Sequence, residues 1–330
     1  MSAPLDLSGS AAEAQPEAVV TGGVPVTGRS LGQIAWMRLK RDRVALTGGA
    51  VVLFLVLVAV FAPLIVALLG HPPNEFHQDQ VSPDLQIATG PFGGVSKDFL
   101  FGVEPINGRD LFSRVVYGAR ISMIIGVFST LLSVVIGGTL GVTAGYFGGW
   151  VDTVLSRLMD LFLAFPILIF SIAIAGVAPD RAFGVSGDAL RVLLLIFIIG
   201  FFQWPYIGRI IRGQTLSLRE REFVDAARCL GASDARILRA ELLPNLFAPI
   251  LVYFTLLIPT NILFEAALSF LNVGIRPPTA TWGQMLSDAT QWYQSDPWFM
   301  VVPGTAIFIT VLAFNLFGDG LRDALDPRGG

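Results

Sequence analysis

Few residues in this chain have the type and spacing to do chemistry. Its two histidines, His71 and His77, fall beside Glu75 and Asp79 in one polar stretch. That is a conceivable metal set, but a solvated polar loop accounts for it as well. The single cysteine, Cys229, excludes an intrachain disulfide and leaves no thiolate cluster for a metal. The only lysines are Lys40, in RLKRD, and Lys97, in GVSKDF. Neither stands in the Gly-Lys-Ser/Thr setting of a phosphate-cradling loop, so the sequence offers no ATP site of its own. One carboxylate, Glu265, is embedded in an otherwise apolar run, with Asn261 and Phe264 close by and Gln203 in another such run. Finally, EFVDAARCLGASDARILRAELLPN (Glu222–Asn245) is a dense polar segment between two oily ones.

The elements that carry these residues are membrane spans. Of 330 residues, 53% are hydrophobic and 14% charged, against about 25% charged in a soluble domain; mean hydropathy is +0.67. A span needs about 20 mostly apolar residues, and six segments qualify: 44–69, 121–147, 160–180, 191–209, 245–271 and 296–319. The expected fold is therefore all-α and polytopic, with six transmembrane helices in residues 44–330. Residues 1–43 form an N-terminal tail, of which 1–30, rich in Ala, Gly, Pro and Ser, are expected to be disordered. No cleavable signal peptide is expected, because the first apolar run is too long for one.

Basic residues set the orientation. Arg38, Lys40, Arg41 and Arg43 precede the first run, and Arg212, Arg219, Arg221, Arg228, Arg236 and Arg239 lie between the fourth and fifth. Both termini and the segment 213–244 are thus expected in the cytoplasm, with the long loop 70–117 outside, where Arg109 and Asp110 are expected to brace it.

Within the polar segment, Phe223, Ala226, Ala227 and Leu230 recur at i, i+3, i+4 and i+7, one face of a helix. Gly231 suits the position after the helix, where positive φ carries no Cβ penalty. Ser233 or Asp234 can cap a second helix bearing Ile237, Leu238 and Leu242. An amphipathic loop resting on the membrane would have the same pattern. A DNA-binding helix-turn-helix has too little chain between the spans to reach a major groove.

The segment DAARCLGASDARILRAELLPN resembles the EAA loop of permease subunits in binding-protein-dependent ABC importers. Asp225 replaces the family's glutamate, Ala226 and Ala227 match, Gly231 falls on the glycine, and Leu243-Pro244 on the ending. GRDLFSRVVYGARIS (108–122), EAALSFLNVGIRPPTATWGQML (265–286) and FNLFGDGLRDALDPR (314–328) resemble the dipeptide, oligopeptide and nickel importers, and among these the second, C-type permease subunit. The resemblance implies a type I importer permease in the plasma (inner) membrane that moves di- or oligopeptides, or nickel or another small solute, inward. It implies a coupling segment comprising Glu222, Asp225, Ala226, Ala227, Gly231, Leu243 and Pro244. It also implies as partners a second homologous permease, one or two cytoplasmic ATPases that bind ATP and Mg, and an extracytoplasmic binding protein, with no cofactor on this chain and no nucleic acid.

Glu265, Asn261, Phe264 and Gln203 are the pathway candidates. Counting about 1.5 Å per residue from Asn245 puts Glu265 near the outer interface. There it either contacts solute or binding protein, or makes an interhelical hydrogen bond that orders the end of the fifth span. A self-sufficient channel or secondary transporter is the competing class, for which midplane charges and internal repeats would be expected.

Overall fold

The computed structural model describes residues 31–326 apart from 178, 180 and 183; the expected disorder of 1–30 lies outside the described residues. The elements in order are α1 (Leu31–Leu39), α2 (Arg43–Val60), α3 (Ala62–Leu69), α4 (Leu111–Phe147), α5 (Gly149–Ala164), α6 (Ile167–Val177) and a small hairpin of β1 (Arg181–Ala182) and β2 (Val185–Ser186). There follow α7 (Asp188–Arg219), α8 (Glu222–Cys229), α9 (Asp234–Arg236), a π-turn (Ile237–Leu242), α10 (Leu243–Phe270), α11 (Trp282–Ala289) and α12 (Pro297–Leu325). The fold is an all-α, polytopic membrane bundle. Among the described residues, five helices are long and apolar enough to cross a membrane, and a bent pair makes a sixth candidate.

The bent pair covers the stretch expected to be the third span. Gly149–Ala164 and Ile167–Ile174 meet at 77°. Pro166 has no N–H to give the helix, and it forces Phe165 into an extended conformation at ψ 132°. The span also starts at Gly149, earlier than Asp160, because Asp152 and Asp160 are paired with Arg212 and Arg209 of α7. Elsewhere too the boundaries move. Helix α4 begins at Leu111, so the long loop expected over 70–117 ends at Asp110 and not Tyr117. Asp110 supplies the cap, accepting from the Phe112 N–H at 3.2 Å. Helix α7 runs on to Arg219, shortening the polar loop that was expected from residue 213.

Helices α4 and α7 pack most closely, and glycine is the reason. A methyl group placed on Gly137 would lie 2.4 Å from the Trp204 carbonyl oxygen, one on Gly141 2.5 Å from that of Gly208, and one on Gly145 2.8 Å from that of Arg212. This run of small residues lets two backbones touch where lipid provides no hydrophobic drive for association. Helix α10 crosses the pair, α12 packs on α2 and α10, and α11 packs against α10 and α12.

Candidate functional site

The polar loop between α7 and α10 has defined geometry. Glu222 and Asp225 occupy the first turn of α8 and Arg228 the last, an arrangement that complements the helix dipole. The helix ends in a Schellman motif. The Gly231 N–H donates to the Arg228 carbonyl at 2.9 Å and the Ala232 N–H to the Ala227 carbonyl at 3.0 Å, with Gly231 at φ 79°. Ser233 takes the cap position of α9 without a side-chain capping bond. The Asp234 carboxylate instead accepts from the Tyr146 hydroxyl at 2.6 Å, which ties the loop to the end of α4. The Arg228 guanidinium lies 5.9 Å from the Tyr146 ring centre.

The apolar stripe picked out by spacing is not, as a whole, the face of α8 turned toward the protein. Val224 is fully buried against Ile211, Ile237, Leu242 and Leu246, with Ala227 packed beside it. Phe223, Ala226 and Leu230 point away, Leu230 being 88% exposed. An eight-residue helix with apolar groups on more than one side can turn only one of them inward. The i, i+3 pair Val224–Ala227 is the one that meets Ile237 and Leu242, leaving the larger apolar strip facing outward with Glu222 and Asp225.

Beyond Arg236 the chain does not break before the fifth span. It passes through the π-turn, in which the Leu243 N–H bonds the Leu238 carbonyl, and continues into α10 with Pro244 in its first turn. Proline has no N–H for an i→i−4 bond, and the wider π spacing absorbs that defect without a kink. Asp234–Phe270 is thus one 37-residue helix. Leu243 and Pro244 lie on its exposed side.

Three of the four candidates at membrane depth are turned into the bundle. Asn261 is buried and donates from Nδ2 to Thr130 Oγ1 at 2.9 Å. Phe264 is half-buried against Ile125, Leu195, Ile199 and Leu268. Glu265 is wholly enclosed where α4, α10 and α11 meet; its carboxylate accepts from Ser122 at 2.8 Å and Ser269 at 2.7 Å. Of its two expected roles, this geometry is that of the interhelical hydrogen bond. Gln203 alone borders an open cleft, with Tyr206, Tyr253 and Thr260. Those three escaped the sequence reading, because tyrosine and threonine in a span carry no charge to mark them.

In the long loop before α4, Glu104 joins Arg109 at 2.7 Å and also the fully buried Arg114. Arg114 further donates to the Pro278 carbonyl at 3.0 Å, so the loop is fastened to the segment that follows α10. Arg109 thereby braces the loop, and the Asp110 carboxylate does so by accepting from the His71 N–H at 3.1 Å. The histidines pack on Phe99, with ring centres 4.6 Å (His71) and 5.0 Å (His77) away. No group of three potential metal donors occurs among the described residues.

The chain is thus a lipid-spanning bundle with a polar, outward-facing helical loop between two of its spans. Residues 137–329 match the model of the binding-protein-dependent transport system inner membrane component, and residues 30–87 that of the N-terminal transmembrane domain of oligopeptide transport permease C. The dipeptide transport system permease protein DppC of Alkalihalophilus pseudofirmus is 40% identical over 294 residues, 89% of each chain. The glutathione transport system permease protein GsiD of Escherichia coli is 40% identical over 293 residues, again 89% of each. An inward-facing structure of the MetNI methionine ABC transporter aligns with a TM-score of 0.51 at 20% identity, covering 66% of this chain and 98% of that one; this likeness speaks to the fold alone. The chain belongs to the family of binding-protein-dependent transport system inner membrane components. It is a permease subunit of an ABC importer, a class in which separate subunits hydrolyse ATP.

Proposed function

We propose that this chain is the C-type permease of an importer that carries di- or oligopeptides into the cytoplasm, and that residues 222–244 couple it to partner ATPases. The observation that carries the coupling role is the continuous helix Asp234–Phe270. A displacement of the α8 turn passes directly into the fifth span, with no flexible joint to dissipate it. The outward strip of Phe223, Ala226 and Leu230, flanked by Glu222 and Asp225, supplies a docking surface that the chain itself leaves uncovered. Gly231, Leu243 and Pro244 set the turn and the continuity behind it. The names of two relatives, for dipeptide and glutathione transport, support a peptide or peptide-like cargo.

The rest of the assembly comprises a second homologous permease, one or two ATPases holding ATP and Mg, and an extracytoplasmic binding protein. The basic residues around α1 and α8 favour cytoplasmic termini, with the transmembrane domain from 44 and the outer loop ending at 110.

Purification of the tagged chain from native membranes in mild detergent tests this reading. A second permease and at least one ATPase should accompany it. Gly231→Asp provides the sharper arm: a Cβ there meets no atom within 4 Å, so its internal cost is only the strain of positive φ, about 1–2 kcal/mol. The variant should insert and lose ligand-stimulated ATPase activity. A chain that purifies without an ATPase in every detergent tried refutes the proposal, and full coupling in Gly231→Asp removes Gly231 from it.

A further inference from the structure

Of the pathway candidates, Gln203 is the one that borders a cleft. This cleft lies between α7 and α10, holds ≈ 210 Å³, and is lined by Gln203, Tyr206, Tyr253, Leu256, Leu257 and Thr260. Gln203 is 15 residues in from Asp188, about 22 Å along the helix, inside the uncharged stretch 192–208. That is membrane depth, where lipid offers no hydrogen-bond partner. Tyr206 is nonetheless 48% exposed, and Thr260 is exposed with its hydroxyl turned back to the Leu256 carbonyl. The side chains of Gln203, Tyr206 and Tyr253 make no hydrogen bond among the described residues. Polar groups at this depth are tolerated where they face a water-filled cavity or another protein surface.

Their chemistry is specific. A carboxamide and two phenols offer both donors and acceptors without charge, matching a peptide group with its one N–H and one C=O. One turn inward from Tyr206 the surface becomes cationic. Arg209 pairs with Asp160 at 2.6 Å and Arg157 approaches the same carboxylate at 3.8 Å, all three more than half exposed. The trio carries a net charge of +1.

We infer that this cleft is the chain's contribution to the solute pathway: Gln203, Tyr206 and Tyr253 hydrogen-bond the peptide group of the moving solute, and Arg157 and Arg209 receive its carboxylate at the inner mouth. The inference rests on the importer reading and adds to it the solute-contacting surface and the solute chemistry that surface selects. A neutral, amide-matched cleft favours peptides of any side-chain charge over metal ions.

The test uses the assembled complex in membrane vesicles. Cys229 is the chain's only cysteine, so Cys229→Ser gives a background for single cysteines at Gln203, Tyr206 and Thr260. Val135 and Phe128, apolar and 53% and 51% exposed on α4, serve as comparators. A charged methanethiosulfonate reacts with the thiolate, which forms in water and not in lipid. The cleft cysteines should react at least about tenfold faster than the comparators. A dipeptide delivered by the binding protein should slow that reaction. Gln203→Leu and Tyr206→Phe should each raise the dipeptide concentration for half-maximal uptake severalfold while the ATPase still co-purifies. Cleft cysteines that react no faster than Val135, in a complex that retains its ATPase, overturn this inference and leave the importer reading standing. If no ATPase accompanies even the unaltered chain, both fall.

Discussion

Replacing Gly141 by alanine should weaken the bundle, whereas the same change three residues earlier, at Gly138, should not. A Cβ on Gly141 would sit 2.5 Å from the Gly208 carbonyl oxygen and 3.1 Å from the Arg212 nitrogen. Both atoms are backbone, so no rotamer change relieves the contact; α4 and α7 must separate by roughly 1 Å or deform, and overpacking of this kind costs about 1–3 kcal/mol. A Cβ on Gly138 meets nothing within 4 Å. Each substitution also gains about 1 kcal/mol of helix propensity, and that gain cancels when the two variants are compared. Their difference is therefore the packing cost alone. Thermal unfolding of the purified chain in detergent, followed by loss of the monodisperse peak, measures it. Gly138→Ala should match or exceed the parent, and Gly141→Ala should fall below Gly138→Ala by an amount corresponding to about 1–3 kcal/mol. Equal stability of the two variants would refute the claim that backbone contact between α4 and α7 organises the fold.

Two further expectations concern the acids Asp288, half-buried, and Glu265, fully buried. Burial pushes the Asp288 carboxyl up from its ordinary value, opposed by the hydrogen bond from Gln284 and by the charges of Arg114 and Arg109. With the folded value raised, the stabilisation from the neutral form is fully present below the ordinary carboxylate range, about pH 4, and is lost as pH rises through the folded value. Asp288→Asn should then melt above the parent at pH 7, with the gap closing toward pH 4; a constant gap across that range counts against desolvation as the cause. Glu265→Gln keeps the side chain's volume and lets the Ser122 and Ser269 hydroxyls turn to suit an amide, so assembly and uptake should stay near parental levels. Glu265→Ala opens a cavity and orphans two hydroxyls, for a loss of about 2–5 kcal/mol. Lost uptake in a well-assembled Glu265→Gln complex would show that the carboxylate does more than join α4 to α10.

The one-dimensional pattern determined a good deal of this protein. A chain in lipid must satisfy its backbone within each span, so the uncharged runs could only be helices, and their number follows from length. Gly231 was legible for a similarly local reason: positive φ belongs to the residue itself and needs no neighbour to explain it. The EAA pattern likewise sits within one short segment. What periodicity could not supply is which face of a helix meets which neighbour. In water, apolar means inside; in a bilayer the lipid-facing side is apolar too, and that contrast disappears. Hence Asn261 and Glu265, conspicuous in sequence, turn into the bundle, while Tyr206 and Tyr253, unremarked and 47 residues apart, meet across one cleft. The same holds for α8, whose inward side was decided by Ile237 and Leu242 arriving from beyond the turn. Position along a helix is a local property, but the surface that covers it is set only when other spans pack.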